Sequence, residues 1–392
     1  AVRRFDAATT AEPLAQAEAS AAAEYDWARQ WYPVSPLQML EEDKPSPLKL
    51  LGRELVLFWD KPAGKWRCTD GICTHRLAPL AKGRVNEDGT LMCRYHGWCF
   101  RGEDGACVKV PMAEGDAEAE KRLLQTPRTA LKSYPTKVRQ GLLFVWPHGS
   151  SAEEAESKEP FLVDELGEEP SWNMFDAPAS WRVWMEQTWD PSHAPFLHEF
   201  TLPFFKPENA AAMDPFTVED LGDAGMRVQH GGYMHGNKGL KAQRVFGAPC
   251  ANYSTYVYPD GREVGFGFYF VPTELGKVRQ ITTSYFRASK SAKDDSQGGL
   301  KGNQLTVSKV VPRGRVLSEV EEAPKRSLKE RAFALASSRW PQIPAIRRGL
   351  KLLQVISGRL GDQDNAILSF QDAVGLPAAR DGTFRRPAPS ER

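Results

Sequence analysis

The sequence predicts an α+β chain in two parts, a small all-β domain followed by a larger domain that combines an antiparallel sheet with helices. Three observations carry this. From Trp27 to Pro147, short β-rich runs alternate with turn residues, the pattern of a compact all-β unit. Residues 149–160 are polar and acidic with no apolar period, which reads as a linker. Beyond them, β-like runs at 226–235, 252–258, 262–271 and 278–288 precede helix-like runs at 325–338 and 346–374, separated by Pro341 and Pro344. The expected division is a flexible N-terminal arm over 1–26, a first domain over 27–148, the linker over 149–160, a second domain over 161–380 and a polar tail over 381–392.

A chain of 392 residues is long enough for two substantial cores. Its formal net charge of +1 argues against nucleic acid or another polyanion as partner. The strongest apolar runs, at 55–59 and 142–146, are of strand length, so no transmembrane segment is expected. Because residue 1 is Ala, the chain reads as processed or trimmed. Its Ala-rich first 24 residues lack a hydrophobic signal core and fit either the mature end left after organelle import or a mobile arm. Order is expected to begin near Trp27, where Trp31 and Tyr32 bring in aromatic bulk.

Within the first domain, strands are expected at 48–51, 54–59 and 65–69, the last two joined across Asp60-Lys61-Pro62-Ala63-Gly64. Cys73 then falls at a loop tip, as does Cys93 after Glu87-Asp88-Gly89. Phe100, Val108 and Val110 flank the turn Gly102-Glu103-Asp104-Gly105, and residues 141–146 close the unit. Of the six cysteines, Cys68, Cys99, Cys107 and Cys250 form no Cys-x-x-Cys pair and are expected as small core hydrophobes.

The other two carry chemistry. Cys73-Thr74-His75 and Cys93-Arg94-Tyr95-His96 each offer one thiolate and one imidazole. Two Cys on one iron and two His on the other are what a Rieske [2Fe–2S] cluster requires. Zinc also takes a Cys₂His₂ set, but zinc fingers group Cys with Cys and His with His, whereas each half here mixes the two. Gly97 and Trp98 extend the second half to the Rieske pattern C-x-Y-H-G-W.

A second motif follows the linker. His193 and His198 lie five positions apart, with Asp190 three residues ahead of them. Pro195 between the imidazoles makes a regular α-helix unfavourable there. Iron(II) that activates O₂ favours two His and one carboxylate, with positions left open. A lone His pair is more often structural; following a Cys/His cluster motif, this one reads as an iron site. Its carboxylate is expected from Gly361-Asp362-Gln363-Asp364, with Asp364 chosen and Asp362 the alternative, though Asp there also suits a helix N-terminus. Val264, Phe266, Phe268 and Phe270 alternate with smaller residues, so one face of that strand is expected to be buried. Phe266, Phe268, Tyr256 and Tyr258 are candidates for a substrate pocket. His230 and His235 are weaker candidates, and lone His in a Gly-rich stretch are more often structural.

The combination resembles the Rieske non-haem iron oxygenases from about Trp31 to Gln371, and within them the pheophorbide a oxygenase-like and chlorophyllide a oxygenase-like branch. The phrases that carry it are Trp31-Tyr32-Pro33, Cys73 through Leu80, Cys93 through Trp98, Val108-Lys109-Val110-Pro111 and Asp190 through Phe196. The resemblance implies an N-terminal Rieske domain and a helix-grip-like catalytic domain. It implies that Cys73, His75, Cys93 and His96 hold a [2Fe–2S] cluster, that His193, His198 and Asp364 hold mononuclear Fe(II), and that Asp190 bridges a cluster His to an iron His. It further implies reduced ferredoxin or a similar donor, O₂, a chlorophyll-derived tetrapyrrole or other bulky substrate, a homotrimer and a chloroplast setting. The Cys-x-x-Cys and apolar anchor that several members of the branch carry near the C-terminus are not in this sequence. A non-catalytic redox-sensing or electron-transfer role is the alternative from another class, and a His₂-carboxylate site argues against it.

Overall fold

The computed structural model describes residues 25–149, 152–167, 170–199 and 205–287. The arm up to residue 24, the helix-like runs at 325–338 and 346–374, the tail and both Asp362 and Asp364 lie outside the described residues.

The first domain is built from three small antiparallel sheets. Tyr32–Pro36, Leu142–Val145 and Thr136–Arg139 form one, in that spatial order. Ser46–Leu50, Arg53–Asp60, Lys65–Asp70 and Ser133–Tyr134 form the second. These cover the strands expected at 48–51, 54–59 and 65–69. Arg84–Val85, Leu91–Met92, Cys99–Phe100 and Cys107–Lys109 form the third, which carries the loop of Cys93. Val56, Phe58, Leu80, Leu91 and Phe100 pack together with Cys73 and Cys93, so both motif thiols sit in a hydrophobic core. Cys68, Cys99, Cys107 and Cys250 are buried free thiols, as expected.

One turn of this domain allows a direct test. Gly105 has φ 75° and donates its N–H to the Arg101 carbonyl. A Cβ there would stand 2.1 Å from the Leu131 carbonyl oxygen, whose residue also donates back to Gly105. A non-glycine residue held in such a region costs roughly 1–3 kcal/mol before any clash is counted. Gly105→Ala is therefore expected to destabilise the fold by at least that amount, read as a lowered denaturant midpoint. A midpoint equal to the parent's would contradict this placement.

The second region is organised on a seven-stranded antiparallel sheet. Its order is Asn173–Pro178, Lys277–Arg287, Glu263–Glu274, Ala251–Val257, Lys241–Gly247, Gly225–His230 and Phe216–Asp220. One face packs on the first domain. Ala251, Tyr253, Tyr269 and Ile281 join Trp31, Phe144, Trp146 and Trp172 in one continuous core. The Phe144 and Tyr269 rings meet edge to face at 6.2 Å. The 149–160 stretch is ordered where described: residues Ala152–Ser157 form a helix with Glu153 and Glu154 in its first turn, where acidic residues suit the dipole. Ala155 is buried, and Trp31 Nε1 donates to the Lys158 carbonyl at 2.9 Å. This connecting segment is fastened to the first domain.

The opposite face of the sheet receives the helix Trp181–Trp189. Trp184 stacks on Phe270 at 5.8 Å. The expectation that Val264, Phe266, Phe268 and Phe270 form one buried face holds only at one end. Exposure falls from 37% at Phe266 to 1% at Phe270. The helix covers the Phe270 end, while on the other face Gly265 leaves room for the Tyr285 ring to lie directly against the backbone.

Candidate metal centres

The two Cys/His loops are built alike. In the first, Cys73 N–H bonds the Ala78 carbonyl at 2.9 Å and Leu77 N–H returns to the Cys73 carbonyl at 3.0 Å. In the second, Cys93 N–H bonds the Trp98 carbonyl at 2.8 Å and Gly97 N–H returns to Cys93 at 3.0 Å. The return residue is left-handed in both, with φ 55° at Leu77 and 73° at Gly97. Leu77 holds this sparsely populated conformation without glycine's freedom. On this shared frame His75 matches Tyr95 and His96 matches Arg76, so the imidazoles come from staggered positions. That stagger is the structural counterpart of the one-residue and two-residue spacings in the sequence.

The side chains sort by type. Cys73 and Cys93 are 1% and 2% exposed and pack in the same core. The imidazoles of His75 and His96 lie 4.8 Å apart between ring centroids and are half-buried. Trp98 stacks flat on His75 at 4.6 Å, and Tyr95 stacks on His96 at 3.9 Å. Thr74 Oγ1 donates to the Thr129 carbonyl at 2.9 Å and ties the first loop down. Among the described residues no three His, Cys, Asp or Glu side chains converge on one ion. The four candidate ligands pair as thiol with thiol in the core and ring with ring, a pairing that suits the two ends of a two-iron cluster.

Electrostatics agree with that fit. Burial, and then the neighbouring Cys93, push the Cys73 thiol up to about 11, while backbone N–H groups of His75 and Arg76 pull the other way. A thiolate pair in such a place needs cationic compensation, which iron supplies. Burial, with His96 and Arg76 nearby, lowers the His75 pKa and favours the neutral ring that ligates metal.

The second motif sits where a helix ends. Trp181–Trp189 stops at Asp190, whose carboxylate accepts from the Ser192 N–H at 2.9 Å and caps the 3₁₀ turn Pro191–His193. A four-residue helix, Ala194–Leu197, follows with Pro195 in its first turn, where the missing N–H costs nothing. The broken helix brings His193 and His198 together, with ring centroids 5.2 Å apart. His198 is buried at 3% exposure. His193 Nδ1 meets the Asp190 backbone carbonyl, which sets Nδ1 as the protonated nitrogen and Nε2 as the acceptor. Nε2 in turn faces Gln187 Nε2 at 3.0 Å. A ligand imidazole that donates its other N–H to a carbonyl is the usual arrangement in metal sites.

Asp190 itself is exposed, and it reaches His193 through its carbonyl, with the carboxylate turned to Ser192. His230 is buried between the Gly231 carbonyl and Arg244, and burial first, then Arg244, holds its pKa down. His235 is exposed in a turn. Sequence reasoning missed Gln187, six residues before His193, and it missed Arg244. The latter's one signal was its place in the alternation Ala242, Arg244, Phe246 of an otherwise apolar strand face.

The chain matches the Rieske [2Fe-2S] domain family over residues 30–135. It is similar to chloroplastic pheophorbide a oxygenase of Arabidopsis thaliana, 38% identical over 208 residues, covering 52% of this chain and 38% of that protein. It is also similar to chloroplastic flavonoid 8-hydroxylase 2 of Ocimum basilicum, 33% identical over 198 residues, covering 48% of this chain and 37% of that protein. The chain thus spans well under half the length of these relatives. Among solved structures it resembles the Pseudomonas putida CBB5 NdmA QL mutant with caffeine, with a TM-score of 0.58 and 17% identity, covering 90% of this chain and 84% of that one. That likeness speaks to the fold alone and bears out the expected α+β class with its N-terminal Rieske domain.

Proposed function

We propose that this chain, which belongs to the Rieske oxygenases of the pheophorbide a and chlorophyllide a oxygenase branch, oxygenates a bulky, chlorophyll-derived tetrapyrrole with O₂ and electrons from reduced ferredoxin or a similar donor. The observation that carries it is the pairing of a Cys₂/His₂ cluster site with a second His pair at a broken helix. An electron carrier needs the first and has no use for the second. When bound, the [2Fe–2S] group and the iron supply one-electron transfer and O₂ activation.

Cys73 and Cys93 would hold one iron of the cluster, and His75 and His96 the other. His193 and His198 would hold the mononuclear iron, with Gln187 giving up its contact to His193 Nε2, and Asp364 would supply the carboxylate, with Asp362 in reserve. Asp190 is the bridge between the two centres. Its exposure suits a contact made across subunits, from a cluster imidazole of one chain to His193 of the next. Such head-to-tail contacts close into a homotrimer. The chloroplastic relatives support a chloroplast setting for the chain, and no helix among the described residues is long and apolar enough to cross a membrane.

Two experiments test the reading. Asp364→Ala is expected to lose mononuclear iron and turnover with the cluster spectrum intact, and Asp362→Ala to do much less; reversed effects would move the ligand by two residues. Incubation with reduced ferredoxin, O₂ and either pheophorbide a or chlorophyllide a should give a product that has gained oxygen by mass. If neither is consumed while a flavonoid is, the substrate class is the one in the name of the Ocimum basilicum relative.

A further inference from the structure

Arg244 is 5% exposed in the strand Lys241–Gly247, on the sheet face that receives the helix Trp181–Trp189. Its Nη1 donates to the Thr188 carbonyl and, at 3.1 Å, to Ser254 Oγ. Nη2 donates to the Tyr256 hydroxyl, and Nε to His230 Nε2 at 3.3 Å. None of these partners is a carboxylate. A buried guanidinium with no counter-charge among the described residues is costly to bury, and the helix explains its presence. Thr188 lies in the last turn, where carbonyls lack intrahelical partners and the dipole is negative. Asn252, on the neighbouring strand, donates to Thr188 Oγ1 as well. The sheet thus grips the helix one residue from Gln187 and five from His193.

We propose that Arg244 is a positioning residue for the imidazole pair: by holding the Thr188 carbonyl it fixes the helix end from which Gln187, Asp190 and His193 project. The proposal rests on the reading of His193 and His198 as iron ligands. Its test is Co(II) titration of the full chain, depleted of mononuclear iron with its cluster retained, followed by the d–d bands of bound cobalt. Arg244→Met is expected to weaken Co(II) binding about 10–100-fold, the usual effect of losing support behind a ligand, and to alter the d–d bands. Arg244→Lys, which restores the charge without the fork, is expected to recover part of the affinity.

Tyr253→Phe, on the opposite face of the same sheet, controls for general loosening. Wild-type cobalt affinity and bands in Arg244→Met, or an equal loss in Tyr253→Phe, would overturn the proposal. Should Arg244→Met fail to fold, Arg244→Gln takes its place, and parental affinity there overturns the proposal equally. His193→Ala in the same titration separates the two claims. Unchanged cobalt binding in that variant removes the iron-site reading itself, whereas its loss beside an unaffected Arg244→Met removes only the role of Arg244.

Discussion

His75→Ala is expected to abolish the visible absorption of the [2Fe–2S] cluster and to leave the mononuclear site able to bind iron. On the proposed assignment His75 is one of two imidazoles on the same cluster iron, and it is held flat against Trp98 at 4.6 Å. With it gone, His96 alone cannot complete that iron, and the Cys73–Cys93 pair is left buried without its charge compensation. The loop frame should survive, because the Cys73–Ala78 and Leu77–Cys73 bonds are made by backbone. Turnover with a chemical or protein reductant should fall below detection. Visible absorption and low-temperature EPR read the cluster, and iron content after reconstitution reads the second site. Retention of the parental visible spectrum would show that His75 is not a cluster ligand.

The next largest effect is expected at Asp190. Asp190→Asn keeps the size and one acceptor oxygen, so the cap on Ser192 N–H, at 2.9 Å, should survive. It removes the charge that would support an imidazole N–H on either side of a subunit contact. The His193 Nδ1 bond to the Asp190 carbonyl involves backbone and is untouched. Both centres should therefore stay loaded, and the electron donor should still reduce the cluster. What should fail is reoxidation of the cluster when substrate and O₂ are added, slowed by about 10–100-fold or more. Stopped-flow absorbance follows that step directly. Reoxidation and product formation at the parental rate would remove the bridge assigned to Asp190.

What was legible in the chain was what is local in the chain. Cys73, His75, Cys93 and His96 announce themselves because each half of the candidate cluster site lies within four residues, and the turn chemistry that shapes each half is written beside it. The same holds for the His193–His198 pair, where Pro195 in the first turn of a new helix explains how two rings five positions apart converge. Four of the seven strands of the large sheet were also readable, since alternation is a nearest-neighbour property, whereas Asn173–Pro178, Phe216–Asp220 and Lys241–Gly247 were not. Which face of a strand is covered is not. Phe266 reads the same as Phe270 in the sequence, yet only the latter lies under Trp184. Arg244 was illegible for the same reason, because its partners Thr188 and His230 stand 56 and 14 residues away. Its role arises only when the sheet meets the helix.

On this reading one chain holds a two-iron, two-sulfide cluster and a separate mononuclear iron. Quantifying iron, zinc and acid-labile sulfide in the purified protein tests it most directly. A coloured protein with about three irons and about two sulfides per chain is expected. One zinc per chain with no labile sulfide would contradict it.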